Sequence, residues 1–260
     1  MSLKGRWILI TGATGGIGQK MAEVIAELGG NLYLVDKPGS DYSLIVDRIS
    51  EYWSVEIVTI DCDLEKEKQR DNLVLQVIDA GNGLDVLINN AGFVGTSDLQ
   101  GWAVAFEQQS VTTWRRAIEV NLTAVFDLAK GFSSLLKNSI SGSIINVASI
   151  YGVNGPDYSL YKGTEMGNPA AYAASKGGLI QLTRWLATTM APDVRVNAIS
   201  PGGVFRNQPA EFVKRYEART PLGKMANNED FKGVVAFMAT NMSSYMTGQN
   251  IKVDGGWTIW

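Results

Sequence analysis

Short apolar runs rich in β-branched residues alternate along this chain with stretches whose apolar positions recur at helical spacing. Arg6–Thr11 reads as a buried strand, and Gly16–Leu28 follows as a helix with Ile17, Met21, Val24, Ile25 and Leu28 on one stripe. The alternation continues with a strand over Asn31–Val35 ending at Asp36, a helix over Tyr42–Trp53, and a strand over Val55–Ile60. A helix over Glu65–Ala80, a strand over Leu84–Ile88, one long helix over Thr112–Leu136 and a strand over Ser143–Ala148 come next. A helix over Pro169–Met190, a strand over Val194–Ile199 and a last strand over Asn250–Val253 complete the pattern. Near-continuous apolar strands imply a sheet covered on both faces. Right-handed crossovers then make it a doubly wound α/β sheet of about seven mainly parallel strands, with helices on both faces.

With 260 residues and no Pro/Ser linker, charge block or repeat, one domain is expected. The formal net charge of −3 leaves no basic surplus to neutralise a phosphate backbone, so nucleic acid is not an expected partner. The chain holds no histidine, which removes Ser-His-Asp triads, histidine bases and histidine metal ligands together. Its one cysteine, Cys62, cannot form an internal disulfide or a zinc cluster and is expected in the core; no metal is expected. No stretch reaches the roughly 18 apolar residues of a membrane span, so no membrane partner is expected. The start of the sequence does not read as a signal peptide, and a cytoplasmic location is the expectation.

Ligands of doubly wound sheets bind at the carboxyl ends of the strands, where the winding reverses. Between the first strand and first helix lies Thr11-Gly12-Ala13-Thr14-Gly15-Gly16-Ile17-Gly18. Missing side chains there let the backbone approach a pyrophosphate, and the helix N-terminus supplies positive partial charge. Asp36 ends the second strand, where a carboxylate accepts both hydroxyls of an adenosine ribose and repels a 2′-phosphate. NAD is therefore preferred over NADP, with Lys37 as a counter-signal and Thr14 adding no positive charge. Asp63, with Asp61 as its rival, is placed to meet the adenine amino group.

Tyr172 and Lys176 stand four apart, one turn of helix, so their side chains share a face. A free tyrosine has a pKa of about 10, and a nearby ammonium favours the phenolate. The pair is an acid/base device for a chain without histidine. Tyr158 and Lys162 repeat the spacing, but Gly163, Gly167 and Pro169 follow and argue against a continuing helix. The chemistry is assigned to the second pair.

In this order and spacing, these features resemble the short-chain dehydrogenase/reductase family over nearly the whole chain. The matching residues are Thr11–Gly18, Asp36, Asp63-Leu64, Asn89-Asn90-Ala91-Gly92, Asn121, Ser149, Tyr172, Lys176, Pro201-Gly202 and the ending Val253-Asp254-Gly255-Gly256. The resemblance implies a single Rossmann-type domain and a homo-oligomer, most often a tetramer. It implies a nucleotide held by Gly12, Thr14, Gly16, Ile17, Gly18, Asp36, Asp63, Leu64, Asn90, Ala91, Gly92, Tyr172, Lys176, Pro201, Gly202 and Val204. Tyr172 would exchange a proton with the substrate oxygen, and Lys176 would hold the nicotinamide ribose and depress the tyrosine pKa. Ser149 would hydrogen-bond the reacting oxygen. Asn121 would bend its helix and hold a water, and Asn90 would meet the adenosine half.

Three features depart from the family pattern. Ser149 and Tyr172 are 23 residues apart, so 150–168 carries an insertion, roughly ten residues, at the mouth of the site. Arg206 stands where a threonine often follows the Pro-Gly turn, in an expected substrate lid over 203–226. Trp257 and Trp260, near the end, are expected in a subunit interface. The reading is an NAD-dependent oxidoreductase interconverting a secondary alcohol and a ketone of a small-molecule substrate. Alternatives are an NADP-dependent carbonyl or acyl-thioester reductase, and a non-catalytic dinucleotide-binding protein. Tyr151, Tyr158 and Arg206 are the expected substrate contacts. The polar groups Asn154, Asp157, Tyr161, Lys162, Glu165, Asn207 and Gln208 suggest a sugar-like substrate.

Overall fold

A computed structural model describes residues 1–94 and 97–260 of the chain. Seven strands form one sheet: β1 (Trp7–Thr11), β2 (Asn31–Asp36), β3 (Ile57–Asp61), β4 (Val86–Asn89), β5 (Gly142–Val147), β6 (Val194–Pro201) and β7 (Asn250–Val253). Their spatial order is β3-β2-β1-β4-β5-β6-β7, and every adjacent pair is parallel. The winding reverses between β1 and β4, which opens a crevice at their carboxyl ends.

Alternation along β1 divides the core. Trp7 and Leu9 face one apolar layer, with Leu73, Leu128 and Leu186; Ile8 and Ile10 face the other, with Met21, Ile49 and Val235. Helices α1 (Gly16–Glu27), α2 (Ser43–Tyr52) and α9 (Lys232–Ala239) supply the second layer. The first is supplied by α3 (Glu67–Asp79), α5 (Ala124–Gly131), α6 (Ser133–Asn138) and α7 (Ala170–Met190), while α4 (Val111–Ile118) joins a smaller apolar cluster through Ala117, with Trp102 and Ala171. The remaining helix, α8 (Ala210–Arg219), lies between β6 and β7 in sequence. Buried Cys62 joins the first layer as a core residue.

The single helix expected over Thr112–Leu136 is three helices with a π-helical turn, Glu119–Thr123, between the first two. Asn121 sits in that turn. Its Oδ1 accepts from the Phe93 amide at 2.8 Å, and its Nδ2 donates to the Phe93 carbonyl at 3.1 Å and to Ser175 Oγ at 3.1 Å. A side chain committed to three partners outside its helix holds the extra residue of the turn in place. The path breaks again at Phe132, just after Gly131, where a Cβ would meet Val74 at 2.7 Å. Close approach to α3 thus requires glycine there.

Of the two segments expected to overhang the crevice, 150–168 folds into 3₁₀ turns at Ile150–Gly152 and Tyr158–Tyr161. The region 203–226 carries α8, which docks on that segment: Arg219 pairs with Asp157, and Arg215 donates to the carbonyls of Leu160 and Lys162. Trp257 belongs to this assembly rather than to a subunit interface. It is 1% exposed within the chain, stacked on Tyr216 at 6.0 Å and covered by the Arg219 guanidinium at 4.9 Å. Trp260 does remain 70% exposed. Among the described residues, no helix is long and apolar enough to cross a membrane.

Candidate active site

A cavity of about 1030 Å³ opens at the carboxyl ends of β1, β4, β5 and β6. The glycine loop forms one wall, and its backbone is fixed by contacts that exclude side chains. Gly12 has φ +65°, and a Cβ there would meet Ala91 Cα at 2.9 Å; a Cβ on Gly18 would fall 2.1 Å from the Gly12 carbonyl oxygen. A Cβ on Gly16 would meet Asn228 at 2.7 Å. No side chain caps the N-terminus of α1, and its first turn holds no acidic residue. The loop is thus a bare, electropositive backbone cradle that fits a pyrophosphate. Thr14 and Ile17 line the cavity beside it.

Asp36 stands at the same end, already engaged. Its Oδ2 accepts from the Thr14 amide at 2.9 Å and from Thr14 Oγ1 at 2.7 Å, and its Oδ1 accepts from the Lys37 amide at 2.8 Å. Tyr42 braces the region: its hydroxyl accepts from the Asp36 amide and donates to the Ile60 carbonyl. Asp63 and Leu64 line the cavity next to it, and Asp63 Oδ1 accepts from the Glu65 amide at 3.0 Å. Asn90 lines the cavity with Ala91 and Gly92, but its side chain donates to the carbonyls of Thr11 and Gly12, each at 3.0 Å. Its amide therefore ties β4 to the glycine loop rather than projecting to a ligand. Pro201, Gly202 and Val204 line the opposite end, beyond β6.

At that opposite end, Ser149, Tyr172 and Lys176 come together from two elements. Ser149 follows β5, and its hydroxyl accepts from the Tyr151 amide at 3.1 Å. Tyr172 lies in the first turn of α7, half-buried, facing the cavity. Lys176 is 4% exposed; its Nζ donates to the Val147 carbonyl at 2.7 Å and lies 5.9 Å from the Tyr172 ring centroid. Burial pulls the Lys176 ammonium down to about 8. Burial also raises the Tyr172 phenol above its ordinary value, opposed by a hydrogen bond from Ser149 and by the positive charge of Arg206. Lys176, expected to depress the phenol, donates its ammonium to Val147 while lying over the Tyr172 ring, and the positive charge of Arg206 lowers the phenol. Asn121 sits behind this group: a Cβ on Gly92 would lie 3.0 Å from Asn121 Oδ1 and 3.4 Å from Lys176 Nζ.

Of the expected substrate contacts, Tyr151 and Arg206 line the cavity. Tyr158 does not: it is 64% exposed, because its 3₁₀ turn presents Leu160 and Tyr161 inward instead. Asn154, Asp157, Lys162 and Glu165 also lie outside the lining, and Asp157 is spent on Arg219. Sequence reasoning gave no place in the site to Asn168, Met166, Phe212, Tyr216 and Met225, which do line it. Phe212 and Tyr216 were findable as an i, i+4 aromatic pair on an amphipathic helix. Asn168 is 7% exposed, and its Oδ1 has no partner; nothing in the local sequence marks it.

Comparison with known proteins agrees with this geometry. The family model described as enoyl-(acyl carrier protein) reductase matches residues 12–258. The chain is 29% identical to the 3-oxoacyl-(acyl-carrier-protein) reductase FabG of Aquifex aeolicus, over 98% of either chain. It is 32% identical to trans-4-hydroxycyclohexanecarboxylate dehydrogenase of Sinomonas cyclohexanicum, over 96% of this chain and 92% of that protein. A short-chain dehydrogenase from Leptospira borgpetersenii, solved with bound NAD+, superposes with a TM-score of 0.85 at 33% identity, over 99% of this chain and 94% of that one. Fold, cradle and tyrosine–lysine helix therefore have one origin: this chain is an NAD(P)-dependent oxidoreductase of the short-chain dehydrogenase/reductase family, acting on CH–OH groups.

Proposed function

We propose that the chain interconverts a secondary alcohol and a ketone of a small-molecule substrate, with NAD preferred over NADP. The observation that carries the reading is one cavity lined at one end by the glycine cradle with Asp36 and at the other by Ser149, Tyr172 and Lys176. The cradle, Asp36, Asp63, Ala91 and Val204 would hold the nucleotide, with Asn90 bracing the loop from behind. When bound there, the nicotinamide supplies the hydride acceptor or donor. Tyr172 exchanges the proton with the substrate oxygen, and the Ser149 hydroxyl hydrogen-bonds that oxygen as its charge changes. Lys176 must leave the Val147 carbonyl, or share its protons, to act on the nucleotide ribose and on Tyr172. Asn121 holds the Phe93 backbone and the π-turn, and so positions Gly92 against Lys176.

The alternative, an NADPH-dependent acyl-thioester reductase, is raised by the FabG likeness. Asp36 opposes it, because a carboxylate beside the ribose repels a 2′-phosphate dianion. A purely nucleotide-binding role has no support in a site that retains Ser149, Tyr172 and Lys176 together. Fluorescence titration with NADH and NADPH tests the preference: NADH is expected to bind at least tenfold tighter, and Asp36→Ala to narrow the gap. Tighter NADPH binding by the parent protein would reverse the assignment and bring Lys37 forward.

We also propose self-association, with a tetramer as the expected assembly. Exposed Trp114 on α4, Phe126 on α5 and Trp185 on α7 support it, being large apolar side chains on neighbouring helices.

A further inference from the structure

Resting on the alcohol–ketone reading, we infer that the substrate carries a single carboxylate, received by Arg206, on a compact apolar body seated against Tyr151, Tyr161 and Phe212. Arg206 is mounted on a braced turn. Its amide donates to Gln208 Oε1 at 2.7 Å, and Gln208 Nε2 donates back to the Val204 carbonyl at 2.7 Å. Val204 forms a bridge with Ala226, and the Phe205 amide donates to the Ala226 carbonyl at 2.8 Å. Arg206 lines the cavity as a solvent-exposed residue, and no carboxylate among the described residues lies within 4.0 Å of its guanidinium. Glu211, the nearest acid in sequence, lies 3.9 Å from Arg215 instead. The acids that line the cavity are Asp36, Asp63 and Glu65, beyond β2 and β3, and Asp98 on the loop after β4; none pairs with Arg206.

The count of cations sets the charge of the ligand. The other cation close to Tyr172 is Lys176, whose ammonium donates to Val147. One planar guanidinium matches the two oxygens of a carboxylate, whereas a phosphate dianion calls for more positive charge. The effect of Arg206 on the Tyr172 phenol agrees with a guanidinium close to the proton-transfer oxygen.

The walls set the body. Tyr151 and Tyr161 direct their hydroxyls at each other, 2.7 Å apart, and so offer ring surface to the cavity. Met166, Phe212 and Met225 add apolar wall. Asn168 Oδ1 is the one buried lining oxygen without a partner among the described residues. A carboxylate on a ring-sized hydrocarbon satisfies both the guanidinium and the walls.

Calorimetry on the full-length protein saturated with NADH tests this without turnover. The probes are cyclohexanecarboxylate, cyclohexanecarboxamide, cyclohexyl phosphate and xylitol. The carboxylate is expected to bind at least tenfold tighter than the carboxamide, and the margin to shrink with added salt in the parent protein. Arg206→Gln should reduce the ratio to below twofold while NADH binding is kept. Equal binding of carboxylate and carboxamide, or an unchanged ratio in Arg206→Gln, overturns the carboxylate site. Tighter binding of cyclohexyl phosphate, or of xylitol over both ring compounds, overturns the monoanion or the apolar body respectively. NADH binding alone, measured before any probe is added, tests the cofactor half of the underlying reading separately.

Discussion

Lys176 is a residue whose burial is costly to the fold and to which the proposed chemistry gives a role. Its ammonium is buried against a carbonyl with no carboxylate beside it, and its pKa falls from 10.5 to about 8. The folded chain therefore binds fewer protons than the unfolded chain between pH 8 and 10.5, so this residue makes stability rise with pH across that window. Below pH 8 the penalty is fully present, and the gap between the two values corresponds to about 3 kcal/mol. Lys176→Met should be more stable than the parent at pH 7 by about 1–3 kcal/mol, the lost bond to Val147 offsetting part of the gain. Its stability should also lose the rise above pH 8, and its turnover should vanish. Urea unfolding at pH 7 and pH 9.5 measures this; a variant less stable than the parent at pH 7 would show that the fold compensates the ammonium. The pairing of Tyr172 with Lys176 was legible because four residues make one helical turn. The upward shift of the phenol was not, because it comes from burial that only the fold creates, opposed by Ser149 and Arg206, which only the fold brings near.

Most strands were legible as near-continuous apolar runs, β7 only as the alternation Asn250-Ile251-Lys252-Val253, and all seven lie within about two residues of their expected bounds. The helix over Thr112–Leu136 misled because its apolar period carries through a π-turn that tertiary bonds to Asn121 impose. Helix α9 escaped notice although a capping box announces the chain ahead of it: Asn227 accepts from the Asp230 amide, and Asp230 answers the Asn227 amide. Helix faces also carry the proposed assembly. Trp257 is excluded from it by burial within its own chain, whereas α4, α5 and α7 expose Trp114, Phe126 and Trp185. Sedimentation should give a tetramer at micromolar concentration, and Phe126→Glu with Trp185→Glu should lower the mass while leaving the circular dichroism spectrum unchanged. A monomeric parent would contradict the proposal.

At the scale of the molecule, strand order explains why residues distant in sequence share one cavity. The reversal between β1 and β4 sets the glycine loop beside Asn90, and β5 and α7 bring Ser149 to Tyr172 on the same rim. The overhanging segments close the far side through Asp157, Arg219 and Trp257. That closure was illegible in sequence, because the polar residues of 150–168 serve two ends, solvent and α8, more than they serve the cavity. The same packing turns Tyr158 outward and leaves Tyr172 facing the cavity, so the central claim is a choice between two tyrosines with identical spacing to a lysine. The direct measurement is NADH formation from a panel of secondary alcohols by the parent, Tyr172→Phe and Tyr158→Phe, with NADH binding recorded for each. Tyr172→Phe should lose at least a thousandfold in turnover while binding NADH within about threefold of the parent, and Tyr158→Phe should keep most of its activity. An active Tyr172→Phe, or an inactive Tyr158→Phe that still binds NADH, would contradict the account.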